Sequence, residues 1–544
     1  MRYRSLLAGL IFSSCALAQN TIFPKPNYFR ETFAKAQTHV ELQPPARLKD
    51  FLVGDHVELS LKNFLELVMA NNTDIQLQKL SLEMPKNAIQ RAFGAFDPRA
   101  TAQFTSTRAT TPATSQLDGA TDVKTLSQPL QININQTLMT GTQYTVGITG
   151  QKSTTNSSFN TYNPALSSAV SFGFTQPLLQ NRGTYVNKLT IMINRNSLRI
   201  SEFQFRSQII NLVSLAENAY WDVISARENL RVAESAEQTA DEFLKLQQRQ
   251  LELGALSPLD IYSSQQRAAT AKVNTAQARF RLTFVEDALR KQVGIDMDPD
   301  VRKLKIVLTE PVEISLDSLQ VDNEAYVEKA LSNRPDLKGA VTTMDADDLR
   351  IQQAKNALLP NLSLLGNYTT NGRGGIFFPR TGGANPPAVI AVPGGLSDAL
   401  GQMFGFNYSS FQMGLRLTMP LRSRSASADM ADAVIRKRQD ALTLRTTQQT
   451  IRLGVLNAIT NLESSKESVK LAKVALDFAD KNLEAANKKY ELGTGLQLDV
   501  SQAQDQKVQA ESTLVTNQVQ LRRNIITLLV QGGTLLDERG IVLQ

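Results

Sequence analysis

The sequence predicts a mainly α protein with a smaller β part, built as two tandem repeats that each join long helical rods to a few alternating strands. Three observations predict it. Short signatures recur in the same order in both halves of the 544-residue chain. Each half holds a run of about seventy positions nearly free of Gly and Pro, the residues that most often end helices. Just before each run, the hydrophobic period switches from helical to two.

The recurrence needs no second sequence to be seen. ELGALSPLDI at Glu252–Ile261 faces ELGTGLQLDV at Glu491–Val500 at a constant offset of 239. TQPLL at Thr175–Leu179 faces TMPLR at Thr418–Arg422. NNTDI at Asn71–Ile75 faces NRPDL at Asn333–Leu337, and Pro98 faces Pro360. The spacing from Pro98 to Pro177 exceeds that from Pro360 to Pro420, so the first half carries extra strand material. The chain divides into a leader at 1–18, an N-terminal extension at 19–54, a first repeat at 55–298, a linker at 299–320, a second repeat at 321–536 and a tail at 537–544.

The leader carries Arg2 and Arg4, then an apolar stretch from Leu6 that ends in Ala16-Leu17-Ala18, the pattern of a secretory signal peptide cleaved before Gln19. Cys15 offers a rival, lipidated start, although Phe12 is a poor residue for the preceding recognition box. No later stretch reaches the 18 or more apolar residues of a spanning helix, so any membrane insertion falls to strands.

In the first rod, Thr184 to Leu253 contains neither Gly nor Pro, enough for about 105 Å of helix. Its apolar residues, among them Ile209, Val213, Ala216, Tyr220 and Val223, form a narrow stripe, suited to side-by-side packing. The second rod runs from about Ser423 to Leu492 with only Gly454 inside it. Return helices are expected at about 258–293 and 497–530, giving two helical hairpins, and shorter helices at about 74–93 and 336–358. In the first hairpin turn Gly254 suits a left-handed cap, Ser257 caps the next helix, Pro258 takes its first position, and Asp260 completes a capping box. The second turn keeps Gly493 and Asp499 but has Leu496 in place of the serine, and is expected to be looser.

Two strands are expected per repeat. Leu130, Ile132, Ile134 and Leu138 alternate with polar residues, as do Val170, Phe172 and Phe174. In the second repeat Leu362, Leu364 and Tyr368 lead one strand, and Phe411, Met413, Leu415, Leu417 and Met419 form the other. This is the length and alternation of outer-membrane barrel strands, which a soluble half-buried sheet shares. The long irregular connection expected from Asn371 to Gly405 favours the barrel. Four strands cannot close alone, and open edges are not tolerated in lipid, so several chains must contribute. Three copies give twelve strands. An additional hairpin at about Gln128 to Gln151, turning at Thr140-Gly141-Thr142, raises this to eighteen if it joins the wall.

Composition narrows the chemistry. The chain has one Cys and two His, so metal-centred or Ser-His-Asp chemistry has almost no ligands or bases to draw on. No enzyme, cofactor or metal site is expected. The net charge of +7 is spread along helical stretches without a like-charge run, which reads as solvated helix surface and not as a nucleic-acid footprint. Trp221 reads as packing, the cluster Asp345, Asp347 and Asp348 as solvated surface, and His39 and His56 as incidental.

Taken together, LSLKNFLELVMANNTDI at Leu59–Ile75, ALSNRPDL at Ala330–Leu337, the FTQPLL and LTMPLR junctions and the twin ELG turns resemble TolC-like outer membrane efflux proteins. That resemblance implies outer-membrane β-barrel strands continued by a long periplasmic α-helical barrel in a homotrimer. It also implies a passive duct for efflux or type I secretion in a Gram-negative bacterium, opened by docking of a periplasmic adaptor and an inner-membrane transporter. The adaptor-contact and gate turns then fall on Leu253, Gly254, Leu256 and Asp260 and on Tyr490, Leu492, Gly493 and Asp499. Some relatives carry a gate arginine where this chain has Gly495, and an entrance aspartate where it has Gln502. The competing reading is a soluble periplasmic coiled-coil scaffold or adaptor.

Overall fold

The computed structural model describes residues 52–53, 56–158, 160–253, 261–294, 305–314, 321–378 and 392–543. The leader, Cys15, His39, most of the extension and linker, and the turn residues Gly254, Leu256, Ser257, Pro258 and Asp260 lie outside them. The following describes the unit from Arg47 to Gln544.

Its elements in chain order begin with β1 (Leu52–Val53), β2 (His56–Leu59) and three short helices, α1 (Leu61–Asn71), α2 (Thr73–Ser81) and α3 (Glu83–Phe93). Strands β3 (Arg99–Phe104), β4 (Thr107–Pro112), β5 (Asp122–Thr137), β6 (Gln143–Thr155) and β7 (Tyr162–Pro177) follow. Then come a single turn, α4 (Thr184–Asn187), the first rod, α5 (Leu189–Glu252), its return helix α6 (Ile261–Val293) and β8 (Lys305–Leu308). The second half has α7 (Asn323–Asn333), α8 (Pro335–Ala357), β9 (Asn361–Phe377), α9 (Leu396–Phe404), β10 (Tyr408–Thr418), the second rod α10 (Arg424–Glu491), its return α11 (Gln497–Gly532) and α12 (Leu535–Glu538).

The rods are helices because nothing in them interrupts backbone hydrogen bonding. With 64 and 68 residues, they reach roughly 95 to 100 Å. Toward the hairpin tips α6 lies against α5, α5 against α11 and α11 against α10; toward the strands the row is α3, α5, α8 and α10. In both levels α10 is one flank. Exposed apolar side chains line it, including Val434, Ile435, Leu442 and Phe478, while α6 on the other flank exposes Phe280 and Phe284.

Four expectations are corrected. The segment at 74–93 is two helices broken at Leu82, and Lys188 separates the first turn of the rod from the rest. The stretch from Asn371 to Gly405 is not all irregular: β9 continues to Phe377 and α9 packs back on it. Gly372 makes that contact possible, since a Cβ there would sit 1.8 Å from the carbonyl oxygen of Ala399. Asp347 is not solvated. It is buried against α10 and takes a 2.7 Å ion pair from Arg350, while Asp348 pairs with Lys437 of α10. Among the described residues no group of acids, His and Cys is arranged to hold a metal.

Halfway along the rods lies a belt the periodicity did not reveal. There β2 pairs with β1 and, in parallel, with β8. Phe64, Leu65, Leu67 and Val68 of α1 bury against Tyr220, Trp221 and Val223 of α5, and Val327 and Ala330 of α7 bury against Val455, Ala458 and Ile459 of α10. The repeated motifs hold these joints. The Asn72 carboxamide oxygen accepts from the N–H groups of Asp74 and Ile75, and its NH2 donates to the carbonyl of Gln292 at the end of α6. Arg334 pairs with Asp336 and donates to Gln531 at the end of α11.

Tyr220, fully buried, donates its hydroxyl to the Leu59 carbonyl at 3.0 Å. Burial pushes its phenol up to about 12. The unfolded chain ionises it near pH 10, so its neutral form stabilises the fold fully below that pH. This contribution, about 2 to 3 kcal/mol, is lost as pH rises from 10 through 12. Thermal unfolding measured across that window should show the loss, and Tyr220→Phe should flatten it.

Candidate docking tip and membrane wall

The second hairpin turn is closed by backbone geometry. Leu492 caps α10, and Gly493 follows at φ +75°. Its N–H donates to Tyr490 at 3.0 Å and that of Thr494 to Lys489 at 3.0 Å, the two bonds of a Schellman cap. The left-handed residue must be Gly or, at some cost, Asn. Gly495 then donates to Lys489 at 2.9 Å. The missing serine matters less than expected, because the Asp499 carboxylate still accepts from the Leu496 N–H at 3.2 Å, half of a capping box.

The tip is apolar and uncovered. Leu253, at the end of α5, is 77% exposed and Leu492 is 79% exposed. Leu496, Leu498 and Tyr262 are exposed as well. Gln502 faces solvent on the first turns of α11.

Tyr490 does more than mark the turn. Its hydroxyl donates to Gln250 and accepts from Gln247, and its ring lies 6.4 Å from that of Phe243, tying the end of α10 to α5. The return helices are also tied. Gln497 donates to Ser264 at 2.8 Å, and Arg267 pairs with Asp505 at 2.8 Å and donates to Ser501. Burial draws the Arg267 guanidinium below its ordinary value and Asp505 opposes that. Sequence reasoning missed Gln247, Ser264, Arg267, Ser501 and Asp505. Partners more than 230 residues apart leave no local signal.

At the other end of the rods the large sheet runs in the order β10-β9-β7-β6-β5-β3, with β4 also on β5, all antiparallel. Registers align its faces. One row reads Ala100, Ile134, Val146, Phe172, Tyr368, Phe411, and the adjacent row on the other face reads Thr101, Asn133, Gly147, Ser171, Thr369, Ser410. One face is therefore an apolar band with Ile132, Ile148, Phe172, Phe411 and Leu415 exposed on it. The other is polar: its described residues include Arg99, Arg373 and Arg416 and no acid, while Asp122 and Lys124 at the start of β5 fall on the apolar side. Leu138, expected within β5, lies just past its end. None of the described helices is long and apolar enough to cross a membrane.

Residues 326–531 match the family described as outer membrane efflux protein. That match covers less than half of the chain. Curated relatives agree: the toluene efflux pump outer membrane protein TtgC of Pseudomonas putida is 21% identical over 62% of this chain and 64% of its own length. Outer membrane protein TolC of Vibrio cholerae is 21% identical over 67% and 76%. The match thus spans somewhat less than two thirds of the P. putida relative. Among solved structures, the Campylobacter jejuni CmeC outer membrane channel superposes with a TM-score of 0.60 at 15% identity, covering 95% of this chain and 94% of that one. The open state of the Neisseria gonorrhoeae MtrE outer membrane channel gives 0.58 at 16% identity, covering 87% and 89%. Both curated relatives are outer membrane proteins by name.

Proposed function

We propose that the protein is the passive exit duct of a tripartite efflux pump or type I secretion system, without catalysis or cofactor. Two tandem repeats, 55–298 and 321–536, joined by the linker at 299–320, assemble as a homotrimer whose sheets close a barrel in lipid and whose rods line a periplasmic passage. The observation that carries this reading is the apolar band. A soluble scaffold would cover it, whereas lipid solvates it and leaves the polar face to water. The exposed apolar flanks α10 and α6 supply the contacts between copies.

The tip turns at Leu253, Gly254, Leu256 and Asp260 and at Tyr490, Leu492, Gly493, Gly495, Asp499 and Gln502 receive a periplasmic adaptor, which links the duct to an inner-membrane transporter. An open groove between α10 and α11, lined by Ala472, Ala475, Phe478, Ala479 and Ala510, offers a helical partner close approach about 20 to 30 Å along the hairpin from the tip. The Arg267 ties to Asp505 and Ser501 hold the two return helices together and keep the tip narrow.

Planar-bilayer recording tests the reading. The purified protein should insert and conduct, and Arg267→Ala should open more often and pass more current. Insertion without conductance in both proteins would refute the duct. Because the polar face carries Arg99, Arg373 and Arg416 without acids, rings of positive charge favour anions. The reversal potential in a salt gradient should show anion preference, reduced by Arg99→Gln, Arg373→Gln and Arg416→Gln together.

A further inference from the structure

We propose that each copy contributes six strands to the membrane wall instead of four, so that three copies close an eighteen-stranded barrel. This rests on the trimeric duct proposed above. The added hairpin, β5 and β6, is bonded along both of its sides. β5 pairs with β6 from Thr125↔Thr155 to Thr137↔Gln143, and β6 pairs with β7 from Gln143↔Thr175 to Ser153↔Ala165. It continues both faces of the sheet in register. Ile132 and Ile148 extend the apolar row of Ala102 and Val170, and Asn133 and Gly147 the polar row of Thr101 and Ser171. A hairpin lying off the wall would have no use for that apolar row.

The edges are also those of a closing wall. β3 and β4 form one long edge, because the register of β3 on β5 continues unchanged into β4. The interruption between them faces Pro129, which lacks an N–H but still accepts from the Thr105 N–H. The opposite edge is β10, whose every residue is exposed. The β3–β4 edge runs away from the helices and β10 runs back toward them. The β10 edge of one copy therefore meets the β3–β4 edge of the next in the antiparallel sense. Six strands, being even, keep that sense around the ring, and closure removes both edges from lipid.

Barrel diameter grows roughly in proportion to strand number, so the opening is about one and a half times as wide as with twelve strands, in the range that leaves a water-filled channel. The outer exit then admits bulky hydrated cargo, and the helical tip is left as the narrow point.

The experiment uses the full chain in lipid vesicles, with single cysteines carrying a fluorophore at positions 132, 133, 148, 149, 172 and 415. The chain has no other cysteine after Cys15. Phospholipid with brominated chains is the quencher, and native mass spectrometry gives the copy number. The expected result is a trimer with fluorescence lost from Ile132→Cys, Ile148→Cys, Phe172→Cys and Leu415→Cys, and retained by Asn133→Cys and Thr149→Cys. Quenching at 172 and 415 but not at 132 and 148 overturns the six-strand wall and leaves the duct standing. A copy number other than three overturns the count of eighteen. No quenching at 172 and 415 overturns the membrane reading itself. Electron cryomicroscopy of the unsubstituted protein in nanodiscs counts the strands at the level of Ile132, so a variant that fails to fold does not decide the matter.

Discussion

Gly493→Val is expected to abolish export while leaving assembly intact. At φ +75°, a β-branched side chain costs about 1 to 2 kcal/mol. The cheapest relief is to abandon the Schellman cap and let the turn rearrange. Steric conflict is not the reason, because an added Cβ would meet nothing within 4 Å. The same emptiness confines the damage to the tip. The buried stripe of α10, from Ile451 to Ala472, and the belt around Trp221 lie far along the rods. What moves is the presentation of Leu492 and Leu496, which in the proposed duct face the adaptor. Tolerance to exported compounds in a strain carrying only the variant should fall to the level of a deletion, with a normal trimer on non-denaturing electrophoresis. Gly493→Asn, whose residue tolerates the left-handed region, should retain most activity. A lost trimer, or undiminished export by the valine variant, would show that the turn has another role.

The largest stability effect is expected from Arg539→Ala. Glu217, in the middle of α5, is fully buried, and its carboxylate accepts from Arg539 Nε at 3.1 Å and Nη2 at 2.5 Å. Arg522 also feels the Glu217 charge, but its guanidinium is held elsewhere. It stacks 4.5 Å above the Trp221 ring and donates to the carbonyls of Pro311 and Glu313. Removing Arg539 therefore leaves a carboxylate buried without its counter-ion, at a cost of about 3 to 5 kcal/mol. Replacing both partners with leucine removes the charge along with its need and should recover most of that loss. The urea midpoint followed by fluorescence reports this locally, since Trp221 is the one tryptophan in the chain and lies in the same cluster. If the single variant unfolds at the wild-type midpoint, the pair contributes nothing. Residues 537–544, set apart as a tail by the repeat boundaries, thus contain a residue that anchors the belt, and Leu535 and Leu536 beside it are buried in the same core.

Several features were legible because they are local. Runs without Gly or Pro become rods whatever surrounds them, since helical hydrogen bonds close within four residues. The second ELG turn and the alternation of β5, β7, β9 and β10 are legible on the same grounds. β3 and β4 were missed, because Ala, Thr and Gln alternate too weakly to register. The α1 and α7 helices and the three-stranded belt were missed too, because β2 and β8 are some 250 residues apart in sequence and each is only four residues long. Asp347 looked like surface because burial of a carboxylate depends on a partner helix that its own sequence does not specify.

The chain's sequence by itself determined the rods, the turn at Gly493 and the two-faced strands, all of which arise from contacts within a few residues. Only the tertiary structure decided that β6 and the β3–β4 edge enter the sheet on either side of β5, that the Arg267 and Tyr490 ties join the hairpins, and that Glu217 meets Arg539. Those pairings bring together residues tens to hundreds of positions apart, and their energies depend on burial that no single segment encodes.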